Sequence, residues 1–247
     1  MANIVKGGIL IDFDDTLVES TVFFELAREK FARFMVELGF PLAEVLVTLN
    51  RLDIENVRRC GGFLKECFPR AMVQTYEHFC GRVGVAPDPA VCSRVENMGW
   101  WVFDQKPAPM PGAQAALEEL AGSGCRLILA TKGDASVQWG RIRESGLKDY
   151  FDKIYVLKDK TRREYRLMAR WNRLDPAVSW VVGNSLKSDI NPGLAAGYNC
   201  AFIPHEHTWD YEMEDPRGEF HTLDSLEMLP ELVLGGTGGL SALTGRG

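Results

Sequence analysis

Hydrophobic and polar positions follow two different periods along the chain. The run at 8–13, ILIDF after two glycines, is short, apolar and rich in β-branched residues, which predicts a buried strand. Past residue 19 the period lengthens. Phe23, Phe24, Ala27, Phe31, Phe34, Met35 and Leu38 recur every three or four positions, as on one face of a helix, and Gly39 and Pro41 end it. Helix is also favoured over 42–58, about 62–83 and about 88–103. From Pro107 the two periods alternate. Helices are predicted over 112–124, 136–146, 162–172 and 188–196, and strands over 125–131, 153–157, 178–184 and 200–204. Such alternation predicts a parallel sheet with helices on both faces.

The expected fold class is therefore α/β, a Rossmann-like doubly wound parallel sheet with an all-helical insert after its first strand. The expected core is 1–18 and 106–234, the helical insert 19–105, and KPAPMPG at 106–112 a stiff return linker. The stretch 235–247 is glycine-rich and buries little, so it is expected to be a flexible tail.

Composition narrows the chemistry. A net charge of −6 argues against a broad nucleic-acid surface, yet leaves room for a small anionic substrate. The six cysteines include no CxxC pair, which points to reduced thiols and a cytoplasmic location. No secretory leader is expected at the start of the chain, and no apolar run approaches the roughly 18 residues of a membrane span. Nothing in the pattern sets the oligomeric state. His205 and His207 form an HxH pair after the last predicted strand. With no third ligand near in sequence, they read as surface loop.

In a parallel α/β sheet, ligands bind beyond the carboxyl ends of the strands. The first strand ends in Asp12, Asp14, Asp15 and Thr16, and the second in Thr131, Lys132, Gly133 and Asp134. The third ends in Lys158, Asp159 and Lys160, and the fourth in Asn184, Ser185, Lys187, Ser188 and Asp189. Carboxylates, hydroxyls and ammonium groups thus converge on one sheet edge. An EF-hand starting at Asp12 is excluded, because it would need Gly and Glu where Leu17 and Phe23 stand.

DFDDTL, the Thr after the second strand, a Lys after the third and GNSLKSD after the fourth resemble the four motifs of the haloacid dehalogenase superfamily. The position of the insert is similar to that of a helical cap in that family. The resemblance implies a Mg²⁺-dependent phosphatase acting on a small phosphate ester. Asp12 would attack phosphorus to form an aspartyl phosphate, and Asp14 would serve as general acid and base. Mg²⁺ would be held by Asp12, Asp14 through its carbonyl, Asp189 and Asn184. Many family members carry Asp where Asn184 stands, so the metal shell here has one negative charge fewer. Thr131, Lys132 and Gly133 would bind the phosphoryl oxygens. Either Lys158 or Lys160 serves as the third-motif lysine. Lys160 is favoured, because Thr161 and Glu164 read as a capping box that places it just outside a helix start. A phosphomutase of the same superfamily, or a non-catalytic member that binds a ligand or partner, are the alternatives.

Overall fold

A computed structural model describes residues 7–235, so most of the expected tail, 236–247, lies outside the described residues. The described chain divides into two compact units. The first comprises the described parts of Met1–Glu19, Ala108–Thr131 and Ser145–Gly247. Its sheet follows the order β3-β2-β1-β4-β5-β6, with strands β1 (Gly8–Ile11), β2 (Arg126–Lys132), β3 (Lys153–Leu157), β4 (Trp180–Gly183), β5 (Asn199–Phe202) and β6 (His221–Thr222). β1 pairs in parallel with both β2 and β4, and β5 with β4 and β6.

Five of these strands follow the predicted apolar runs. β6 does not. It is two exposed residues at the sheet edge, too short to show a period. The central strands are buried on both faces, which is why they read as continuous apolar runs. Leu10 lies in register with Ile128 and Val181, and all three are at most 1% exposed. They pack into one core with Tyr165 and Met168 of α7 (Arg162–Asn172).

The register fixes where the polar ends emerge. Ile11 stands opposite Leu129 on one side and Val182 on the other. The Asp12 amide donates to the Val182 carbonyl and extends the ladder by one residue. Thr131 and Gly183-Asn184 end the neighbouring strands at the same edge. α5 (Ala113–Gly122), α7, α8 (Asn191–Ala196) and α9 (Leu229–Leu234) complete this unit.

The second unit is helical and comprises Ser20–Pro107 and Lys132–Glu144. It contains α1 (Thr21–Glu37), α2 (Leu42–Cys60), α3 (Cys67–Val83), α4 (Pro89–Trp100) and α6 (Ala135–Glu144). Phe31, Met35, Leu49, Met72, Phe79 and Val95 fill its core. α3 begins later than its apolar pattern suggests. Gly61 and Gly62 both have positive φ (67° and 155°), which breaks the helix and restarts it beyond them. α6 was expected among the α/β elements, yet it groups with the insert helices. One tie is Lys132 Nζ, 4.7 Å from the centre of the Phe63 ring.

Candidate active site

The first strand runs directly into a tight turn. The amides of Leu17 and Val18 both donate to the Phe13 carbonyl, and Asp15 N donates to Val18 O at 2.7 Å. Asp15 takes φ 57°, a left-handed conformation that an aspartate tolerates better than most side chains. The chain thereby reverses just after Asp12 and presents its carboxylate at the edge of the sheet.

Three of the expected site residues meet there. Lys160 Nζ lies 2.5 Å from both Asp12 Oδ1 and Asp189 Oδ1, and also donates to the Ala130 carbonyl at 3.2 Å. The Lys160 side chain is 1% exposed, whereas Lys158 is exposed. Lys160 reaches inward because helix α7 starts just after it. The Thr161 hydroxyl caps α7 by accepting from Arg163 N and donates to the Glu164 carboxylate. Asp189 is held from three sides. Its Oδ2 accepts from Ser185 N at 3.1 Å, and its Oδ1 accepts from Tyr165 Oη at 3.2 Å as well as from Lys160. Burial, then the charges of Asp189 and Asp12, push the Tyr165 phenol well up, so it stays protonated as a donor.

Two buried carboxylates thus share one ammonium, which leaves a negative charge uncompensated inside the protein. Burial and the facing Asp189 push Asp12 up to about 7, with Lys160 offsetting part of that rise. Burial pulls the Lys160 ammonium down. Asp12 and Asp189 more than offset this and hold it above the usual lysine range.

The other Asp12 oxygen faces the end of β4. In one orientation of the Asn184 side chain its amide nitrogen donates to Asp12 Oδ2 (3.2 Å), the Asp14 carbonyl (3.3 Å) and Thr16 Oγ1 (3.2 Å). In the other orientation its oxygen takes that place and accepts from Thr16 Oγ1 at 3.2 Å. That leaves oxygen facing oxygen at Asp12 and Asp14, an arrangement a cation stabilises. Octahedral ligands about 2.1 Å from an ion lie about 3 Å apart, close to these spacings. The donor set therefore fits a hard divalent cation. Asp189, also expected in this set, accepts hydrogen bonds from Lys160, Tyr165 and Ser185.

Asp14 is half-buried, and its charge adds the smallest of the influences that raise Asp12. Thr131 is 1% exposed at the end of β2. Lys132 and Gly133 belong to the helical unit, where Gln138 Nε2 donates to the Lys132 carbonyl at 2.9 Å.

A strap that the sequence pattern does not announce holds the fourth loop. Leu186–Ile190 is one π-helical turn rather than the start of an α-helix. Glu212 accepts from Ser185 Oγ (2.9 Å) and Ser188 Oγ (2.6 Å). Lys187 Nζ donates to the Tyr211 carbonyl and lies 3.5 Å from the centre of its ring. Asn191 bonds Glu214, Asp215 and Arg217 N. Segment 211–217 is distant in sequence and has no strong period, so only its acidity marks it.

The chain is similar to known proteins in sequence and fold. Residues 7–197 match the family described as haloacid dehalogenase-like hydrolase. A glyceraldehyde 3-phosphate phosphatase of Methanocaldococcus jannaschii is 25% identical over 235 residues, covering 92% of this chain and 96% of its own length. A pyrimidine 5'-nucleotidase of Escherichia coli is 28% identical over 128 residues, 49% of this chain and 56% of its own. Among solved structures, a haloacid dehalogenase-like family hydrolase of Xanthomonas campestris superposes with a TM-score of 0.77 at 22% identity, over 95% of this chain and 92% of that one. The family match spans the strands that deliver Asp12, Thr131, Lys160 and Asp189, and on that ground the chain belongs to the haloacid dehalogenase-like hydrolases.

Proposed function

We propose that the protein is a Mg²⁺-dependent phosphatase that cleaves a small phosphate ester through an aspartyl phosphate on Asp12. The observation that supports this best is the division of Asp12 between two neighbours. One oxygen is fixed by a buried lysine, and the other faces the oxygen set around Asn184. A carboxylate held in this way has a defined direction of attack and little freedom to lose on reaching the transition state.

Asp12 attacks phosphorus as the ester bond to the leaving oxygen breaks. Asp14 gives that oxygen a proton, then takes one from the water that hydrolyses the aspartyl phosphate. Mg²⁺, held by Asp12, the Asp14 carbonyl, Asp189 and Asn184, would neutralise charge between the carboxylates and the phosphoryl group. The Thr131 hydroxyl and the amides of Lys132 and Gly133 are the proposed phosphoryl donors, where one donor is worth roughly 3 kcal/mol. Lys160 orients Asp12 and offsets part of the rise that burial and Asp189 impose on it.

A panel of phosphate esters, including glyceraldehyde 3-phosphate and pyrimidine 5'-nucleotides, tests this. The expected result is phosphate release that requires Mg²⁺ and is lost in Asp12→Asn. Release unchanged without metal, or in the variant, overturns the proposal, as does silence across the panel with metal bound. Phosphoryl transfer between substrates without net release would assign a phosphomutase instead.

A further inference from the structure

The HxH pair after β5 is not the plain surface loop its sequence suggests. His207 is exposed, but the His205 side chain is 9% exposed and turns toward the loop after β1. His205 Nε2 lies 3.7 Å from Asp15 Oδ1 and 3.9 Å from Glu19 Oε2. One ligand atom from each of the three residues lies within 4.8 Å of the others. Both carboxylate distances exceed hydrogen-bond reach, and among the described residues no hydrogen bond ends on His205 Nε2. The ring of a side chain that is 9% exposed therefore turns its Nε2 toward two carboxylates without closing on either.

We propose that Asp15, Glu19 and His205 form a second metal site that takes a divalent transition ion such as Zn²⁺ or Co²⁺. Two ligands about 2.1 Å from an ion at a tetrahedral angle lie about 3.4 Å apart, within about half an ångström of the two spacings from His205. His205 Nδ1 faces both the His207 carbonyl at 3.1 Å and the His207 amide, which donates to it at 3.3 Å. The tautomer with its proton on Nδ1 donates to that carbonyl and leaves Nε2 its lone pair, and metal binding at Nε2 would select that tautomer. An imidazole with two carboxylates selects against Mg²⁺, which prefers an all-oxygen set and binds nitrogen poorly. The site uses none of the oxygens around Asn184. Its three protein ligands leave one position open to water. A bound ion would join the turn that carries Asp14 to the loop after β5 and fix both.

The test is a titration of the metal-stripped full-length protein with Co²⁺ in excess Mg²⁺. It is read by visible absorption and by metal content after dialysis. Nitrogen-containing sites of low coordination number absorb strongly, and all-oxygen octahedral sites weakly. The expected result is one strongly absorbing Co²⁺ per chain, with affinity reduced more than about 100-fold in His205→Ala, since even residues behind a ligand are worth about 10- to 100-fold. Thermal unfolding of the metal-free variant checks that it folds. If it does not, Glu19→Gln carries the test, because its side chain is 35% exposed and tolerates replacement. No strong band in the unmodified protein, or the same band and affinity in the folded variant, overturns the proposal.

Discussion

At the scale of single residues, Asp12 governs the behaviour of the site with pH. Its carboxyl is raised from 3.8 to about 7, mainly by burial and by Asp189. A group raised on folding favours the protonated native state. Without metal, its contribution to stability is full below the unfolded value near 3.8 and is lost as pH rises through about 7. Cation binding requires the ionised form and must displace that proton. The affinity for Mg²⁺ should therefore rise about tenfold per pH unit up to about 7 and then level off. Calorimetry in buffers of different ionisation enthalpy measures both the affinity and the proton released. A flat profile from pH 5 to 8 would show that Asp12 does not bind the metal.

Much at this scale was legible beforehand. Asp12, Thr131, Lys160 and Asp189 each follow a recognisable strand, so local pattern alone places them at one edge. The choice of Lys160 over Lys158 came from the capping signal of Thr161, a feature local to the chain. The nearness of His205 to Asp15 and Glu19 is not legible, because these residues are close in space and remote in sequence. Glu212 escaped for the same reason.

At the scale of elements, the fourth loop depends on the absence of a side chain. A methyl group on Gly183 would overlap the Cβ and carboxylate of Asp189, which cannot swing aside while Lys160, Tyr165 and Ser185 hold it. Gly183→Ala should therefore displace Asp189, lowering turnover at least tenfold and unfolding free energy by about 1–3 kcal/mol, as overpacking does elsewhere. Phosphate-release kinetics and urea denaturation measure the two effects, and normal values for both would mean the loop yields freely. This tightness is invisible in sequence, where Gly183 reads only as the end of a strand. The π turn and β6 were equally hidden. The first differs from an α-helix by one residue in the span of its hydrogen bonds, and the second is set by pairing with β5 rather than by its own pattern. The long helices of the insert and the central strands were legible because burial enforces their periods over many residues.

At the scale of the molecule, the sheet order has a consequence for synthesis. The opening strand lies in the middle of the sheet, with Gly8 beside Arg126 and Ile9 beside Trp180. As the chain leaves the ribosome, β1 waits through the whole helical insert before its first neighbour appears, and longer for its second. The insert helices find their partners close by in sequence, so they are free to pack early, whereas long-range pairing is slow. Ribosome-bound chains from which residues up to about 110 have emerged should show protease protection confined to the helical segment. Protection of the first strand should follow only after about residue 185 has emerged. Asp12, the proposed nucleophile, would thus be translated before the other proposed site residues and be among the last to reach a finished environment.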